Sequence, residues 1–254
     1  MCATCGCSDD AAVRVIEPGH EHGHSHGHEH PHSHERGTRT VLLEQDVLAK
    51  NDRLAESNRG WLRRREILAI NVMSSPGSGK TTLLTRTILD LAGEFPISVI
   101  EGDQETLFDA ERIKATGAPV VQINTGAGCH LDAEMLERGL ATLGPPADSV
   151  LFIENVGNLV CPALFDLGED HRAVIMSVTE GPDKPLKYPH MFAGSDLVVL
   201  NKIDLLPYLD FDVDAFLRDA RKVNPGVLVL QLSATTGEGL PTWYDWLRHA
   251  RTGP

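Results

Sequence analysis

The sequence contains no apolar run that approaches the roughly 18 residues a membrane-spanning helix needs, and its opening residues lack the basic-then-apolar order of a secretory leader. It also lacks positive charge. Lys and Arg total 23 against 36 Asp and Glu, for a formal net charge of −13. Nucleic acid is therefore excluded as a main partner, because phosphate backbones are held by basic faces. Cysteine is sparse as well: Cys2, Cys5, Cys7, Cys129 and Cys161, an odd number with three of the five in the first seven residues. A secreted disulfide framework spreads its cysteines more evenly. The expectation is a soluble, cytoplasmic protein, with no membrane contact, whose thiols stay reduced and free to bind metal.

A chain of 254 residues suffices for one large α/β domain and an appendage. The appendage is residues 1–40. It carries the three N-terminal cysteines and then His20, His22, His24, His26, His28, His30, His32 and His34, set almost strictly at alternate positions among Gly, Ser, Glu and Pro. Such a tract has nothing apolar to bury and reads as a flexible metal-binding tail. From Val41 the texture changes. Val41, Leu42, Leu43, Val47, Leu48 and Leu54 recur at helical spacing as far as Trp61. This is a lead-in amphipathic helix that packs on the domain or on a second copy.

Seven short apolar runs follow, at 67–73, 97–100, 119–123, 150–153, 173–178, 197–200 and 227–232, with helical patterns between most of them. Strands apolar on both faces belong to a parallel sheet covered on both sides. The fold class is therefore α/β, a mostly parallel central sheet with helices on both faces over 41–254. The chemistry-bearing motifs all fall at strand ends, where such sheets bind ligands.

The first motif is Ser74-Ser75-Pro76-Gly77-Ser78-Gly79-Lys80-Thr81-Thr82, between the first strand and a helix. Glycine-rich loops of this kind let backbone N–H groups converge on phosphate oxygens, with the helix N-terminus adding favourable charge. Lys80 is expected on the β- and γ-phosphates and the Thr81 hydroxyl on Mg2+. Ser74 stands where the usual pattern has glycine, so some backbone strain is expected there. An ordinary Gly-rich turn is the plain alternative, and the Gly-Lys-Thr order between strand and helix argues against it. The second motif is Asn201-Lys202-Ile203-Asp204. The Asp204 carboxylate can accept from the guanine ring N1–H and its N2 amino group, a donor pair adenine lacks. Asn201 is assigned to the O6/N7 edge, the Lys202 stem to the ring face, and a backbone N–H of Ser233 or Ala234 to O6. Asp103 and Glu154 end strands near the phosphates and suit Mg2+, directly or through water. Gly157 would let the backbone approach the γ-phosphate. No obvious glutamine or arginine finger is present, so slow intrinsic turnover is expected.

Soft-metal ligands fall in three places. Cys2, Cys5 and Cys7, with Gly6 between, can wrap one cation. Three thiolates and the terminal amine suit square-planar Ni2+, whereas four thiolate or imidazole groups would suit tetrahedral Zn2+. The histidine tract can hold several ions weakly, which points to buffering. Cys129, His130 and Cys161 follow two strand ends and would meet beside the γ-phosphate sensor if both loops share one sheet edge. A pair of buried structural cysteines is the plainer reading of that group. Three ligands leave an ion under-coordinated, so two chains sharing a site would couple metal and nucleotide to dimerisation.

Taken in order, Met-Cys-Ala-Thr-Cys-Gly-Cys, the histidine tract, Ser-Pro-Gly-Ser-Gly-Lys-Thr-Thr, Gly-Cys-His-Leu-Asp, Glu-Asn-Val-Gly-Asn-Leu-Val-Cys-Pro and Asn-Lys-Ile-Asp resemble the hydrogenase nickel-incorporation GTPase family, HypB. The resemblance runs from Met1 through the last helix. It implies a P-loop NTPase of the SIMIBI type that turns GTP into GDP, binds nickel and assists its insertion into the large-subunit precursor of [NiFe]-hydrogenase. It further implies a GTP- and metal-dependent homodimer working beside a second nickel-binding maturation protein. Cys2, Cys5 and Cys7 take the high-affinity nickel role by motif match, and Cys129, His130 and Cys161 the nickel- or zinc-binding role in the GTPase domain. The related urease-maturation GTPases carry a Cys-Pro-His triplet, but Ala163 follows Cys161-Pro162 here. A nickel storage protein and a zinc-bound structural domain are the alternatives of other classes. The tail favours storage, whereas intact Lys80, Thr81, Asn201 and Asp204 favour an active GTPase, and a zinc-bound structural domain would show no change in metal binding on swapping GDP for GTP.

Overall fold

A computed structural model describes residues 35–103, 108–126 and 128–253, with side chains from residue 46 onward. Cys2, Cys5, Cys7 and the histidines from His20 to His34 lie outside the described residues. Seven strands form one sheet: β1 (Leu68–Ser74), β2 (Ile97–Asp103), β3 (Val120–Asn124), β4 (Val150–Gly157), β5 (His171–Ser177), β6 (Leu197–Asn201) and β7 (Leu228–Gln231). Their spatial order is β3-β2-β4-β1-β5-β6-β7 and every pairing is parallel. Parallel strands need crossovers, and α2 (Lys80–Leu91), α3 (Phe108–Lys114), α4 (Ala133–Leu143), α5 (Lys184–Lys187), α6 (Pro189–Ala193) and α7 (Val213–Val223) lie in them, while α1 (Glu35–Arg64) precedes β1 and α8 (Leu240–Thr252) follows β7. No helix among the described residues is long and apolar enough to cross a membrane.

Alternation along each strand divides the core between the two faces. Ile70, Val72, Val99, Phe152, Ile175 and Val199 pack with Leu83 and Leu84 of α2 and Trp243 and Leu247 of α8. The opposite face carries two further clusters. Ala69, Ile100, Leu151 and Ile153 meet Leu62 of α1 and Leu136 and Leu140 of α4. Met73, Val174, Met176, Val198 and Leu200 meet Phe192 of α6 and Phe216 of α7. Helices therefore cover both faces, as the apolar strands require.

The lead-in helix α1 packs on its own domain. Buried Asn51 donates to Asp166 O at 2.7 Å and accepts from Ala133 N at 2.9 Å. Asn58, also buried, donates to Ala133 O and Leu167 O at 2.9 and 3.1 Å. Arg59 meets both carboxylate oxygens of Asp166 at 2.8 and 2.7 Å. Satisfied buried amides of this kind fix orientation more narrowly than leucines alone.

Because all strands run one way, the C-terminal ends of β1, β2, β3, β4 and β6 gather at one edge. Ser74, Asp103, Asn124, Gly157 and Asn201 stand there. Ser74 stays in strand register with Ile175 of β5 and, past a register shift after Val72, pairs with Gly157 of β4. The described non-glycine residues with positive φ are Glu66, Asp148 and Lys202, so the strain expected at Ser74 is not found. Extended backbone accepts serine as readily as glycine.

Candidate functional site at the sheet edge

The glycine-rich loop turns directly into α2. Gly79 caps that helix at φ 97° with no side-chain cap, which leaves the first N–H groups for a ligand. The Thr81 hydroxyl donates to Glu154 Oε1 at 2.6 Å, and Lys80 Nζ lies 3.1 Å from the same oxygen. Three residues that the sequence assigned to phosphate and magnesium thus converge on one point. Glu154 Oε2 is buried without a hydrogen-bond partner, as is Glu101 Oε2 on the neighbouring strand. Orphaned carboxylate oxygens beside a hydroxyl form a hard-oxygen donor set that fits Mg2+.

Glu101 is 3% exposed and stands opposite Glu154 in the β2–β4 register. Burial, then the charges of Glu154, Asp103 and Asp109, push its carboxyl up to about 8 against the pull of Lys80. Nothing in the sequence marked Glu101, because it continues an apolar strand and forms no recognisable motif.

The Asn201–Asp204 loop is clamped to the glycine-rich loop. Asn201 donates from Nδ2 to Ser78 O at 2.9 Å, and its Oδ1 accepts from Lys202 N at 2.8 Å and Ala234 N at 3.0 Å. The sequence reading set Asn201 against the O6/N7 edge; in the structure its buried amide also holds three loops together, with one Nδ2 donor on Ser78 O. Ser233 N donates to Glu238 O at 2.8 Å, so the N–H groups of both Ser233 and Ala234, assigned to O6, are engaged within the protein. Lys202 Nζ reaches Gly77 O at 2.7 Å, which lays its stem across the phosphate loop. Asp204 Oδ1 has no partner, the condition of an acceptor available to a ligand.

A cavity of about 310 Å³ opens on this loop, lined by Lys80, Thr81, Thr82, Lys202 and, unforeseen from the sequence, Asp109 and Arg112 of α3.

A second cleft, also about 310 Å³, adjoins the first across the loop. Ser75, Pro76, Cys129, Gly157, Asn158 and Lys184 are among its walls. Gly157 passes so close to Pro76 that a Cβ would stand 3.2 Å from Pro76 Cα. Gly157, expected from the sequence near the γ-phosphate, thus packs on the glycine-rich loop. Behind it lie Cys129, His130 and Cys161, whose ligand atoms are all within 4.8 Å of one another. The two thiols are 2.9 Å apart, and His130 Nδ1 is 3.8 Å from Cys129 Sγ.

Local sequence explains this meeting. Asp132 caps α4 through Met135 N at 2.8 Å, and Leu131 N donates to Asn155 Oδ1 at 3.1 Å, pinning the Cys129–His130 loop onto the end of β4. Cys161 opens a short 3₁₀ turn with Pro162 in its second position. The His130 ring stacks on Phe165 at 4.0 Å between centroids. Burial lowers its pKa, against a smaller opposing pull from Asp132, which keeps the imidazole neutral as a metal ligand must be. The Ser75 hydroxyl donates to the Glu180 carboxylate, and Lys184 Nζ lies 3.6 Å from that same carboxylate. This link between the phosphate loop and the thiol cleft was also missed, since its three residues belong to separate segments of the chain.

With this geometry in place, the comparisons with known proteins are specific. The family model for the CobW/HypB/UreG nucleotide-binding domain matches residues 68–231. The hydrogenase maturation factor HypB of Escherichia coli (strain K12) is 57% identical over 213 residues, covering 84% of this chain and 73% of that protein. Its Azotobacter vinelandii counterpart is 58% identical over 214 residues, covering 84% and 71%. Among solved structures, HypB from Helicobacter pylori in complex with nickel superposes with a TM-score of 0.76 at 36% identity, covering 80% of this chain and 95% of that one. HypB from Archaeoglobus fulgidus does so at 0.74 and 43% identity, covering 79% and 98%.

Proposed function

Because the chain belongs to the HypB family of hydrogenase maturation factors, we propose that it is a GTP-hydrolysing metallochaperone that binds nickel and assists its insertion into the large subunit of [NiFe]-hydrogenase. The observation that carries this reading is the shared wall between the two clefts. Ser75 and Pro76 belong to the phosphate loop and line the cleft that also contains Cys129.

Lys80 and the α2 N-terminus hold the phosphates, Asp204 reads guanine, and Lys202 covers its ring. Thr81, Glu154 and Asp103 would hold Mg2+, which supplies charge neutralisation of the phosphates when bound. A bound γ-phosphate competes with Glu154 for Lys80, so the β4 end shifts with the nucleotide. Gly157 transmits that shift to Asn158, whose Nδ2 donates to Cys129 O at 3.4 Å, and onward to Cys161. Nickel is the cargo of this device. Two thiolates and one imidazole leave it short of four ligands, and a second copy across the same surface would complete the set. Exposed Val160, Leu164 and Leu186 give that surface its apolar content. Turnover is slow, the tail of residues 1–40 collects nickel, and a second nickel-binding maturation protein works with the dimer.

The test is nickel affinity of the full chain carrying Cys2, Cys5 and Cys7→Ser, read from the thiolate-to-nickel charge-transfer band, to which the histidine tract contributes nothing. Affinity is expected to differ by about tenfold, a coupling of about 1.4 kcal/mol, between GDP and a non-hydrolysable GTP analogue. The band should vanish with Cys161→Ala added. Equal affinities in both nucleotide states would refute the coupling and leave the tail as the main nickel site.

A further inference from the structure

We propose that Arg112 is a nucleotide-binding residue that reaches the α-phosphate from outside the phosphate loop. The inference rests on the guanine-nucleotide reading above. Arg112 lies on α3, where Nη2 donates to Thr82 Oγ1 at 3.0 Å and Nη1 stands 3.4 Å from Asp109 Oδ1. The Asp109 contact is local, three residues along one helix, and would by itself describe an ordinary solvated pair. The Thr82 contact spans 30 residues and carries the guanidinium onto the wall of the phosphate cavity.

Charge argues the same way. The chain as a whole is at −13, yet Lys80, Arg112 and Lys202 face this one cavity against the single acid Asp109. Three cations gathered on about 310 Å³ fit a polyphosphate, and no other cavity described above has such a lining.

Position within the cavity selects the phosphate. Lys80 points to Glu154, toward the strand ends where the γ-phosphate belongs. Thr82 is the third residue of α2, in the first turn, whose N–H groups cradle the α- and β-phosphates. A guanidinium held on the Thr82 hydroxyl is therefore at the α-phosphate side, away from the bond that breaks. Its planar fork can keep one donor on Thr82 and offer another to a phosphate oxygen, while Asp109 holds its orientation. A contact to a phosphate that GDP and GTP share strengthens both and discriminates neither.

The experiment is a titration of full-length wild type and Arg112→Ala with GDP and with a non-hydrolysable GTP analogue, alongside steady-state GTPase rates. Both affinities are expected to fall by about tenfold, the scale of one charge-assisted hydrogen bond. KM for GTP should rise with them and kcat should change much less. Guanosine, which has no phosphate, should compete equally with both proteins. Arg112→Lys, which retains charge without the fork, should recover part of the loss and serves as the second variant if Arg112→Ala fails to fold by circular dichroism. Unchanged GDP affinity, or a fall in kcat alone, would overturn the inference and make Arg112 a surface residue or a γ-phosphate finger. Wild-type protein that binds neither GDP nor the analogue removes the nucleotide reading itself. Wild-type binding with an indifferent Arg112→Ala removes this inference alone.

Discussion

Alanine at Gly79 is expected to abolish nucleotide binding, with affinity for GDP and GTP falling by at least ~100-fold, or about 3 kcal/mol. Two independent costs meet at this position. Its φ of 97° is one that L side chains rarely adopt. A Cβ built there would also stand 2.4 Å from Asn201 Nδ2. Asn201 is 1% exposed and has no room to retreat, so its bond to Ser78 O must break. The same amide holds Lys202 N and Ala234 N through Oδ1, so the glycine-rich loop and the Asn201–Asp204 loop come apart together. Gly93, where a Cβ meets nothing within 4 Å, is the matched control, and Gly93→Ala should bind GDP as wild type does. Calorimetric titration with GDP, with circular dichroism to check folding, decides the matter. A folded Gly79→Ala protein that retains wild-type affinity would show that the clamp is not what shapes the site.

The parts of this molecule legible in the sequence are those whose signal is contiguous. All seven strands stand out as nearly unbroken apolar runs, the inner five because they are buried on both faces, while the edge strands β3 and β7 are partly exposed. Their ends are less legible. β2 continues to Asp103 and β4 to Gly157 through buried Glu101, Glu154 and Asn155, polar residues at which an apolar pattern stops. The leucines of α1 announce a helix, whereas its docking depends on Asn51, Asn58 and Arg59, which bond to groups 75 to 115 residues away. Helix α3 is seven residues with one buried side chain, too short for periodicity to mark, and so Arg112 reads as any solvated arginine. The phosphate loop and the Cys129, His130 and Cys161 group are visible because residue type alone suggests them. That the three ligands converge follows from strand order, since β3 and β4 flank β2 and all run the same way. The motif named Asn201 as a residue of the site, but its bonds to Ser78, Lys202 and Ala234 join segments far apart in the chain and could not be read from it.

The second large effect concerns Glu101, and its sign follows from proton linkage. The Glu101 carboxyl sits at about 8 in the folded protein, against an ordinary 4.5. Between those values the folded chain holds a proton that the unfolded chain has released, so stability falls as pH rises through that window. The favourable contribution is fully present below the unfolded value and is lost by about pH 8. At about 1.4 kcal/mol per unit the loss reaches about 3–5 kcal/mol. Glutamine has the shape of the protonated acid and cannot ionise. In chelator-containing buffer without nucleotide, Glu101→Gln should therefore match wild type near pH 4 and become progressively more stable than it up to about pH 8, where the gap levels off. Titrating groups remote from Glu101, including His171, whose pKa is raised chiefly by the Asp196 carboxylate 3.6 Å from its Nδ1, cancel in the difference between the two proteins. Chemical denaturation at several pH values measures that difference directly. Parallel stability curves for the two proteins would mean that Glu101 is ionised in the fold, with Lys80 outweighing the cost of burial beside Glu154. A widening gap would mean that the nucleotide site is assembled around a carboxyl kept neutral until a cation arrives.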